Sequence, residues 1–572
     1  MTSRAEMCAR LAAPVDLLVI GGGITGAGIA RDAARRGLSV ALIEMRDLAF
    51  GTSSRSSKLV HGGLRYLEHY EFSLVFEAVS ERRILLDIAP HLVNPLGFLF
   101  PVYKESRQKL WVINAGMWVY DGLSLFRSPK LHKTLKPPAV AKIQPLLRQE
   151  GLTGAPLYYD CSTDDARLTV ETALDAAVAG ATIATYTRVV SFINDESTGR
   201  ICGAVVQDQL TDELREVRAA VVVNATGPWT DRTMALSGVQ TGGVLRPTKG
   251  VHIVVPHERL PMEHAVVCFH PTDGRVLFAI PWEDATYIGT TDTDFQGDPA
   301  QVHATFEDVT YLVDAANSYF PGAAITFDDV IATWGGLRPL VAPEPDAGGE
   351  VDESAVSREH RVIIGRDGLI TIAGGKLTTY RMMSAEVVDK AIQMLRLQRG
   401  RGTRWRACDT DREPLPGAVG WPEDDDHDAV ATRVLAAGQG AIEQDTAELL
   451  ANMYGMKALD IARMAQRTLM LAERIIPGRP EILAMVDWSV QAELAVNPGD
   501  FFIRRTRVFY RDADQGLGAV DRVARRMGEL LDWDEATVKA QADAYRADVA
   551  DSRAWREGID RDTTTSGSTG SP

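Results

Sequence analysis

The sequence predicts an α/β fold of the Rossmann type over its first two thirds and a separate all-α domain at its C-terminal end. Three observations support this division. Residues 15–44 have the pattern of a strand, a glycine turn, a helix and a second strand; residues up to about 397 continue to alternate strand-like and helix-like segments; and residues 429–557 show helical periodicity. With 572 residues, the chain is also too long for one compact core. We therefore expect an α/β region with an inserted α+β domain, followed by a helical domain.

The first strand and helix carry a dinucleotide-binding pattern. The apolar run 15–20 ends at three consecutive glycines, and Gly21, Gly23 and Gly26 satisfy G-x-G-x-x-G. A helical stretch and a second apolar run follow, and the second run ends at Glu44. The glycines let the backbone approach a pyrophosphate, the helix N-terminus attracts its charge, and Glu44 can accept a hydrogen bond from a ribose hydroxyl. Because the elements and the acid stand in the required order, a dinucleotide site is favoured over a bare tight turn.

The bulk composition excludes several classes of function. A net charge of −16 without a long basic run argues against a nucleic-acid partner. The five cysteines are scattered without a C-x-x-C pair, which argues against a disulfide framework or a metal site and fits a reducing cytoplasm. The chain contains no stretch of 18 or more apolar residues, so no membrane span is expected. The apolar run at 15–20 leads directly into the glycine turn, and we interpret it as a strand rather than a signal peptide.

Three further blocks extend the predicted cofactor site. Residues 52–67, TSSRSSKLVHGGLRYL, form a hydroxyl-rich loop that can donate hydrogen bonds to a phosphate or a flavin, although a solvated serine loop has the same composition. Residues 221–229, VVVNATGPW, end a strand in a small-residue turn. Residues 373–381, AGGKLTTYR, form a second glycine turn and helix start, whose dipole can stabilise the negative charge of a reduced flavin ring.

These blocks, in this order, resemble the FAD-dependent, quinone-linked glycerol-3-phosphate dehydrogenases of the aerobic bacterial type. The landmarks are IGGGITGAGIARDAARRG, KLVHGGLRYLEHYEF, DDARL, NATGPW, KGVHIVVP, IPW, IGTTDTDF, GGLRPL and GGKLTTYR. The resemblance is strong over residues 15–395, and the C-terminal part is similar mainly through ELAVNPGDFFIRRTR. Ser384, where the family usually has alanine, is a small departure, and the residues after about 558 align with nothing in the family.

The resemblance implies an FAD-binding, Rossmann-like two-domain flavoprotein with an extra C-terminal all-α domain. Residues 15–397 would form the oxidoreductase region, in which about 15–75, 155–235 and 335–397 bind FAD and about 76–154 and 236–334 form the substrate domain. Residues 398–428 would be an exposed linker, 429–557 the helical domain and 558–572 a disordered tail.

The resemblance also assigns the site. The residues expected to bind FAD are Gly21, Gly23, Gly26, Glu44, Thr52, Ser53, Ser57, Lys58, Leu59, Ala225, Gly227, Gly375, Leu377 and Thr378. The substrate is a phosphate dianion, which needs cations and hydrogen-bond donors, and the expected ligands are Arg65, Tyr66, Arg358 and Lys376. We place Arg338 nearer the reacting carbon, where it can stabilise a developing alkoxide. His252 and His61 are the candidate bases, although His252 could be a packed strand residue and His61 is better suited to contact FAD.

Such enzymes oxidise sn-glycerol 3-phosphate to dihydroxyacetone phosphate by hydride transfer to FAD, and ubiquinone or menaquinone reoxidises the flavin. The resemblance therefore implies a cytoplasmic protein bound peripherally to an anionic membrane, and a possible homodimer. Residues 103–126 and 387–406 mix basic, aromatic and apolar side chains as interfacial attachment requires, but core helices with solvated edges have the same pattern. The alternatives left open are an oxygen-using glycerol-3-phosphate oxidase, an amine oxidase of similar fold and a non-catalytic flavin-binding scaffold. It is also open whether Arg504, Arg505 and Arg507 dock on the flavoprotein core or are solvated.

Overall fold

The computed structural model describes residues 4–63, 71–124, 129–238, 243–342, 360–400 and 404–559. The strands in these ranges are β1 (Val15–Ile20), β2 (Val40–Ile43), β3 (Leu59–Val60), β4 (Val93–Leu99), β5 (Val102–Tyr103), β6 (Lys133–Leu135), β7 (Leu152–Thr163), β8 (Thr182–Ala184), β9 (Thr187–Asn194), β10 (Ile201–Asp208), β11 (Leu214–Asn224), β12 (Leu245–Pro256), β13 (Ala265–Phe269), β14 (Val276–Trp282), β15 (Ala285–Gly289), β16 (Thr293–Asp294), β17 (Ala332–Val341), β18 (Arg361–Ile364) and β19 (Ile370–Ala373). The helices are α1 (Arg4–Arg10), α2 (Ile24–Arg35), α3 (Phe72–Ile88), α4 (Leu110–Leu123), α5 (Pro137–Ile143), α6 (Asp165–Val178), α7 (Thr230–Ala235), α8 (Phe306–Tyr319), α9 (Tyr380–Arg399), α10 (His427–Gly438), α11 (Gln444–Tyr454), α12 (Ala458–Arg467), α13 (Leu483–Glu493), α14 (Val508–Arg511), α15 (Val520–Leu531) and α16 (Glu535–Arg553).

The first sheet is the Rossmann-like sheet, with the strand order β18-β19-β11-β1-β2-β8. Strand β1 lies between β11 and β2 and is parallel to both, and β19 continues the parallel set beyond β11. Helices α2, α6 and α9 contact one another and share a core with these strands. Since the strands are parallel, the carboxyl ends of β1, β2, β11 and β19 meet at one edge, which is where ligands bind in such sheets.

The second sheet is larger and mainly antiparallel. Its order is β16-β12-β15-β14-β13-β4-β7-β3, and β17 pairs with β12 along ten residues. Strand β3 and most of β7 and β17 fall in the segments that we assigned to FAD binding, yet these strands belong to the second sheet. They belong here because β3 pairs with β7 and β17 pairs with β12, so the FAD-binding segments and the substrate sheet are joined by backbone hydrogen bonds.

The C-terminal helices α10–α16 form a third, all-α unit, whose apolar core is continuous with residues of the second sheet such as Tyr287 and Trp334. This arrangement confirms the predicted α/β flavoprotein fold with an extra helical domain. Residues 404–428 differ from the exposed linker that we expected. Leu415 is fully buried, its N–H donates to the carbonyl of Ile88 at 2.8 Å, and the N–H of Gly417 donates to the carboxylate of Glu171 at 3.2 Å. Of the expected disordered tail, the structure describes only residues 558 and 559, and Ile559 packs on the core.

Buried ion pairs join the helical unit to the flavoprotein part. Arg505 and Asp47 are both fully buried and 2.8 Å apart, and Arg504 lies 2.5 Å from the same carboxylate. Arg507 pairs with Asp164 at 2.8 Å. These three arginines therefore dock on the flavoprotein core rather than facing solvent. Breaking one such pair would cost about 3–5 kcal/mol, since it leaves a buried charge without its partner.

Candidate active site

A cleft of about 350 Å³ opens at the carboxyl ends of β1, β2, β11 and β19. Nine of the fourteen residues that we expected to bind FAD line it: Gly21, Gly23, Glu44, Thr52, Ser53, Ala225, Gly227, Gly375 and Leu377. Lys376, expected to bind the substrate phosphate, lies on the same wall. Four sequence blocks that are far apart in the chain therefore converge on one cavity.

The first glycine turn has no room for side chains. Gly21 has a φ of +111°, and a Cβ there would lie 2.5 Å from the carbonyl oxygen of Ala225. A Cβ on Gly26 would lie 1.9 Å from the carbonyl oxygen of Gly21, so Gly26 is needed for the helix to pack against the strand. Gly26 does not line the cleft itself. The N–H of Ile24 at the start of α2 donates to Ser53 Oγ at 2.9 Å, which ties the serine loop to the helix N-terminus.

Glu44 follows the end of β2 and is nearly buried. Its carboxylate accepts hydrogen bonds from the N–H groups of Gly22 at 2.6 Å and Arg46 at 2.8 Å. Burial raises the pKa of Glu44, and these two bonds oppose the shift. The bonds fix the carboxylate in the lining of the cleft, beside the glycine turn, and its contact with a ribose stays a prediction.

The loop after Glu44 divides its side chains between the cleft and the substrate sheet. Thr52 Oγ1 donates to the carbonyl of Leu337 on β17 at 2.6 Å, and Ser57 Oγ lies 2.9 Å from His252 Nε2 on β12. Lys58 and Leu59 lie off the cleft wall. The ammonium of Lys58 is buried against Asp165 at 2.7 Å, and Leu59 packs in the core as part of β3. A role of these two residues and of Ser57 toward FAD stays a prediction.

The second glycine turn lines the same cleft as the first. Gly375 has a φ of +99°, and Gly374, Gly375, Lys376 and Leu377 line the cavity. Thr378 lies behind this wall, where its hydroxyl accepts from the N–H of His61 at 3.2 Å and can donate to the His61 carbonyl at 3.3 Å. His61 is thus held next to the second turn by its backbone. Its Nδ1 accepts from the N–H of Gly63 at 3.1 Å.

These residues fit an FAD molecule. Gly21 and Gly23 present bare backbone to the cleft at the start of α2, and the cleft surface is mainly apolar with a few polar groups. Two aromatic side chains that we did not predict also line the cleft. The rings of Phe50 and Trp229 have centroids 6.4 Å apart; Phe50 lies just before the predicted serine loop, and Trp229 follows the predicted turn at 225–227. The sequence signal that could have identified these two residues is an aromatic side chain next to each of the two predicted cofactor-binding segments.

Arg338 lies next to the cleft on β17. The strand contacts the cofactor side on both sides of Arg338, since the Leu337 carbonyl accepts a hydrogen bond from the serine loop and Pro339 lines the cavity. The guanidinium donates to Asp292 Oδ1 at 3.0 Å and to Thr290 Oγ1 at 3.1 Å. The Arg338 side chain is 25% exposed, so these contacts orient the cation without removing it from solvent.

His252 pairs with Trp334 in the register of β12 and β17 and is buried. Its ring stacks on the Trp334 indole at a centroid distance of 4.6 Å and an interplanar angle of 11°. Burial lowers the pKa of His252 well below its usual 6.5, and the nearby cations Arg338 and Lys58 lower it further. The ring is therefore neutral at pH 7 and can accept a proton. The other three predicted substrate ligands, Arg65, Tyr66 and Arg358, lie outside the described residues.

Comparison with known proteins agrees with this geometry. The model of the FAD dependent oxidoreductase family matches residues 16–381, and the model of the C-terminal domain of alpha-glycerophosphate oxidase matches residues 408–538. The aerobic glycerol-3-phosphate dehydrogenase of Staphylococcus aureus (strain USA300) is 38% identical over 526 residues, which are 92% of each chain.

Solved structures agree with the sequence matches. The glycerol-3-phosphate dehydrogenase of Bacillus halodurans complexed with FAD has a TM-score of 0.79 and 34% identity over 96% of this chain and 98% of its own. The L-alpha-glycerophosphate oxidase of Mycoplasma pneumoniae, at a TM-score of 0.52 and 16% identity over 71% of this chain and 99% of its own, shares the fold. The match spans both the oxidoreductase region and the helical domain and confirms the resemblance drawn from the motifs: the chain belongs to the FAD-dependent glycerol-3-phosphate dehydrogenases.

Proposed function

We propose that this enzyme oxidises sn-glycerol 3-phosphate to dihydroxyacetone phosphate and passes the electrons to a membrane quinone, ubiquinone or menaquinone. The observation that carries the substrate assignment is the placement of Arg338 beside the FAD cleft. Its neighbour Pro339 lines the cleft, and the carbonyl of its other neighbour, Leu337, is hydrogen-bonded to Thr52 of the serine loop. The printed name of the Staphylococcus aureus relative supports the same substrate.

The chain's own residues bind, orient and deprotonate the substrate. When bound, FAD would supply the hydride acceptor for C2 of the substrate. Arg338 stabilises the negative charge that develops on the C2 oxygen as its proton leaves. Because Ser57 Oγ is hydrogen-bonded to His252 Nε2, the serine hydroxyl can pass the substrate proton to the neutral histidine. Burial destabilises the charged ring, so His252 holds this proton only transiently.

The phosphate end of the substrate needs cations beyond Arg338. Lys376 lies on the cleft wall, and Arg65, Tyr66 and Arg358 complete the proposed set from their family motifs. His61 is held at the second glycine turn, which favours contact with FAD over proton transfer.

Anaerobic bleaching of the flavin spectrum tests the substrate assignment. Addition of glycerol 3-phosphate should bleach the oxidised spectrum, whereas glycerol, which lacks the phosphate, should not at equal concentration. An intact flavin that glycerol 3-phosphate leaves oxidised would refute the assignment.

The electron acceptor is tested separately. We expect reoxidation of the reduced enzyme by a soluble quinone analogue to be much faster than reoxidation by oxygen. Hydrogen peroxide formed in equal amount to the substrate consumed would instead identify an oxidase, the activity after which the family model of the C-terminal domain is named.

A quinone acceptor implies a surface that binds the cytoplasmic face of the membrane. Among the described residues, no helix is both long enough and apolar enough to cross a bilayer. Helix α4 exposes Trp111 by 73% and Trp118 by 59%, and the neighbouring helix α3 exposes Phe72 and Phe76. The exposed cations Lys104, Arg107 and Lys109 precede α4, and each cation near an anionic surface adds about 1 kcal/mol.

The other candidate stretch, 387–406, is less suited to a membrane. Helix α9 buries most of its apolar residues, including Val387, Val388 and Leu395, in the core of the first sheet. Arg399, near its end, is paired with Asp16. We therefore propose that residues 103–124 and the start of α3 form the attachment surface.

Vesicle flotation tests this surface. Replacing Trp111 and Trp118 together by Glu should release the protein from anionic vesicles while leaving flavin reduction unchanged. Leu397→Glu, which changes an 87% exposed apolar residue on α9, is the matched control and should keep binding. Equal loss of binding in both variants would refute the assignment.

A further inference from the structure

The loop between Glu44 and β3, residues 45–58, supplies much of the FAD cleft. We call it the cofactor loop. Met45, Phe50, Thr52 and Ser53 of this loop line the cavity. Two of its residues that are not glycine, Ala49 and Lys58, have φ values of +63° and +52°, in the left-handed region. Non-glycine residues keep this conformation only where surrounding contacts enforce it.

The strongest of these contacts comes from the C-terminal domain. The carboxylate of Asp47 is fully buried and accepts hydrogen bonds from Arg504 Nε at 2.5 Å and from both terminal nitrogens of Arg505 at 2.8 Å. Burial opposes ionisation, but Arg505 and Arg504 lower the pKa of Asp47, so that the buried group is a carboxylate. The charge at the start of the cofactor loop is thus neutralised by the helical domain.

The same segment of the helical domain touches the loop at two further places. The Arg504 guanidinium lies 5.7 Å from the centroid of the Phe50 ring, which lines the cleft. At the end of the loop, the Tyr510 ring centroid lies 5.2 Å from the Lys58 ammonium. Contacts therefore cover the beginning, the middle and the end of the loop.

The arginines are themselves fixed. Arg504 also donates to Asp500 at 2.7 Å, and Arg505 donates to the carbonyl of Glu493 at 2.7 Å. Asp500 in turn accepts from the Tyr186 hydroxyl at 2.6 Å, just after β8 of the first sheet. The network therefore connects the helical domain, the cofactor loop and the Rossmann-like sheet.

We propose that the C-terminal domain holds the cofactor loop in its FAD-binding conformation, with Arg504 and Arg505 as positioning residues that act through Asp47. The helical domain is then required for retention of the cofactor. Without it, Asp47 would be a buried carboxylate without these cations, and the loop would rearrange to hydrate it. The inference depends on FAD as cofactor and not on the identity of the substrate or the electron acceptor.

The test is FAD affinity in the full-length Asp47→Asn variant. The change keeps the shape of the side chain and removes its charge. We expect the dissociation constant for FAD, measured from the rise in flavin fluorescence on dilution, to increase by about tenfold or more. Arg505→Lys, which keeps the charge but not the paired hydrogen bonds, should give a smaller increase.

Asp284→Asn is the matched control. Asp284 pairs with Arg511 and Arg479 of the helical domain, but on the turn between β14 and β15, away from the cofactor loop. It should leave the FAD dissociation constant within about twofold of the wild-type value.

Two outcomes would overturn the proposal. One is an unchanged FAD dissociation constant in Asp47→Asn, even if its melting temperature falls; the other is an equal loss of FAD affinity in Asp284→Asn. If Asp47→Asn does not fold, Arg505→Lys replaces it, and an FAD dissociation constant equal to the wild-type value in that variant would overturn the proposal. Normal anaerobic bleaching of the FAD that these variants retain would separate a positioning defect from a failure of the proposed substrate.

Discussion

Replacement of Arg338 by Ala tests the link between the substrate sheet and the FAD cleft. The structure predicts a large effect on turnover and a small effect on folding. Removing one oriented donor of charge stabilisation costs about 2.7–4 kcal/mol in the transition state, which is a hundredfold to thousandfold loss of kcat. The Arg338–Asp292 ion pair is only partly buried, at 25% and 22% side-chain exposure, so its loss should cost at most about 1 kcal/mol of stability.

The assay separates these effects. Anaerobic stopped-flow reduction of the flavin by glycerol 3-phosphate gives the rate of the chemical step, and flavin fluorescence on dilution gives the dissociation constant for FAD. We expect the reduction rate of Arg338→Ala to fall by about two to three orders of magnitude. The FAD dissociation constant should stay near the wild-type value, because Arg338 does not line the cleft.

An arginine on the neighbouring strand provides the control. Arg246 pairs with Asp294 at 2.7 Å, with side-chain exposures of 32% and 40% similar to those at Arg338. Arg246→Gln therefore removes a comparable surface ion pair from the same sheet and should leave flavin reduction nearly unchanged. A reduction rate in Arg338→Ala close to that of Arg246→Gln would refute the role that we give to Arg338.

Three other predictions concern cofactor binding and pH. Gly26→Ala should yield protein with little bound flavin, measured as the ratio of flavin to protein absorbance, since its Cβ would lie 1.9 Å from the Gly21 carbonyl oxygen. Because the pKa of His252 lies well below 6.5, kcat/KM should show no His252 titration near pH 6.5; a step there that His252→Gln abolishes would contradict this. Burial raises the pKa of Asp164, but the Arg507 cation and other contacts outweigh burial and lower it below 3.8. The ionised carboxylate therefore stabilises the fold above pH 3.8, and this contribution is lost as the pH falls through the lowered folded-state pKa. Urea unfolding should accordingly show a lower free energy of unfolding for Asp164→Asn at pH 7 and a weaker decline in acid than in the wild type.

Local pattern was sufficient to predict the elements that build the cofactor cleft. Strand β1 runs over Val15–Ile20 and α2 ends at Arg35, close to the limits expected from the apolar runs and glycines. The strands expected near residues 221–224, 252–255 and 276–280 are also present, in longer form. These elements follow the sequence because their apolar periodicity and their turn residues agree.

Contacts between distant segments were not predictable in the same way. Lys58 was expected to bind FAD, and nothing local indicated that its ammonium would pair with the buried carboxylate of Asp165, over a hundred residues later. The arginines at 504 and 505 gave no signal of docking, since solvated and buried arginines look alike in one sequence. The burial of Leu415 within the expected linker was not predictable for the same reason, because Leu415 inserts into a core formed by residues from several distant helices.

Strand β17 joins the cofactor side and the substrate side. It carries Arg338, accepts a hydrogen bond from Thr52 through the Leu337 carbonyl, and donates one from the Trp334 indole to the Ser56 carbonyl at 3.2 Å. These bonds are made within the fold itself, so we expect the position of Arg338 relative to the cleft to be set before either ligand arrives. Binding energy from the phosphate is then not consumed in assembling the site and remains to lower the barrier to hydride transfer.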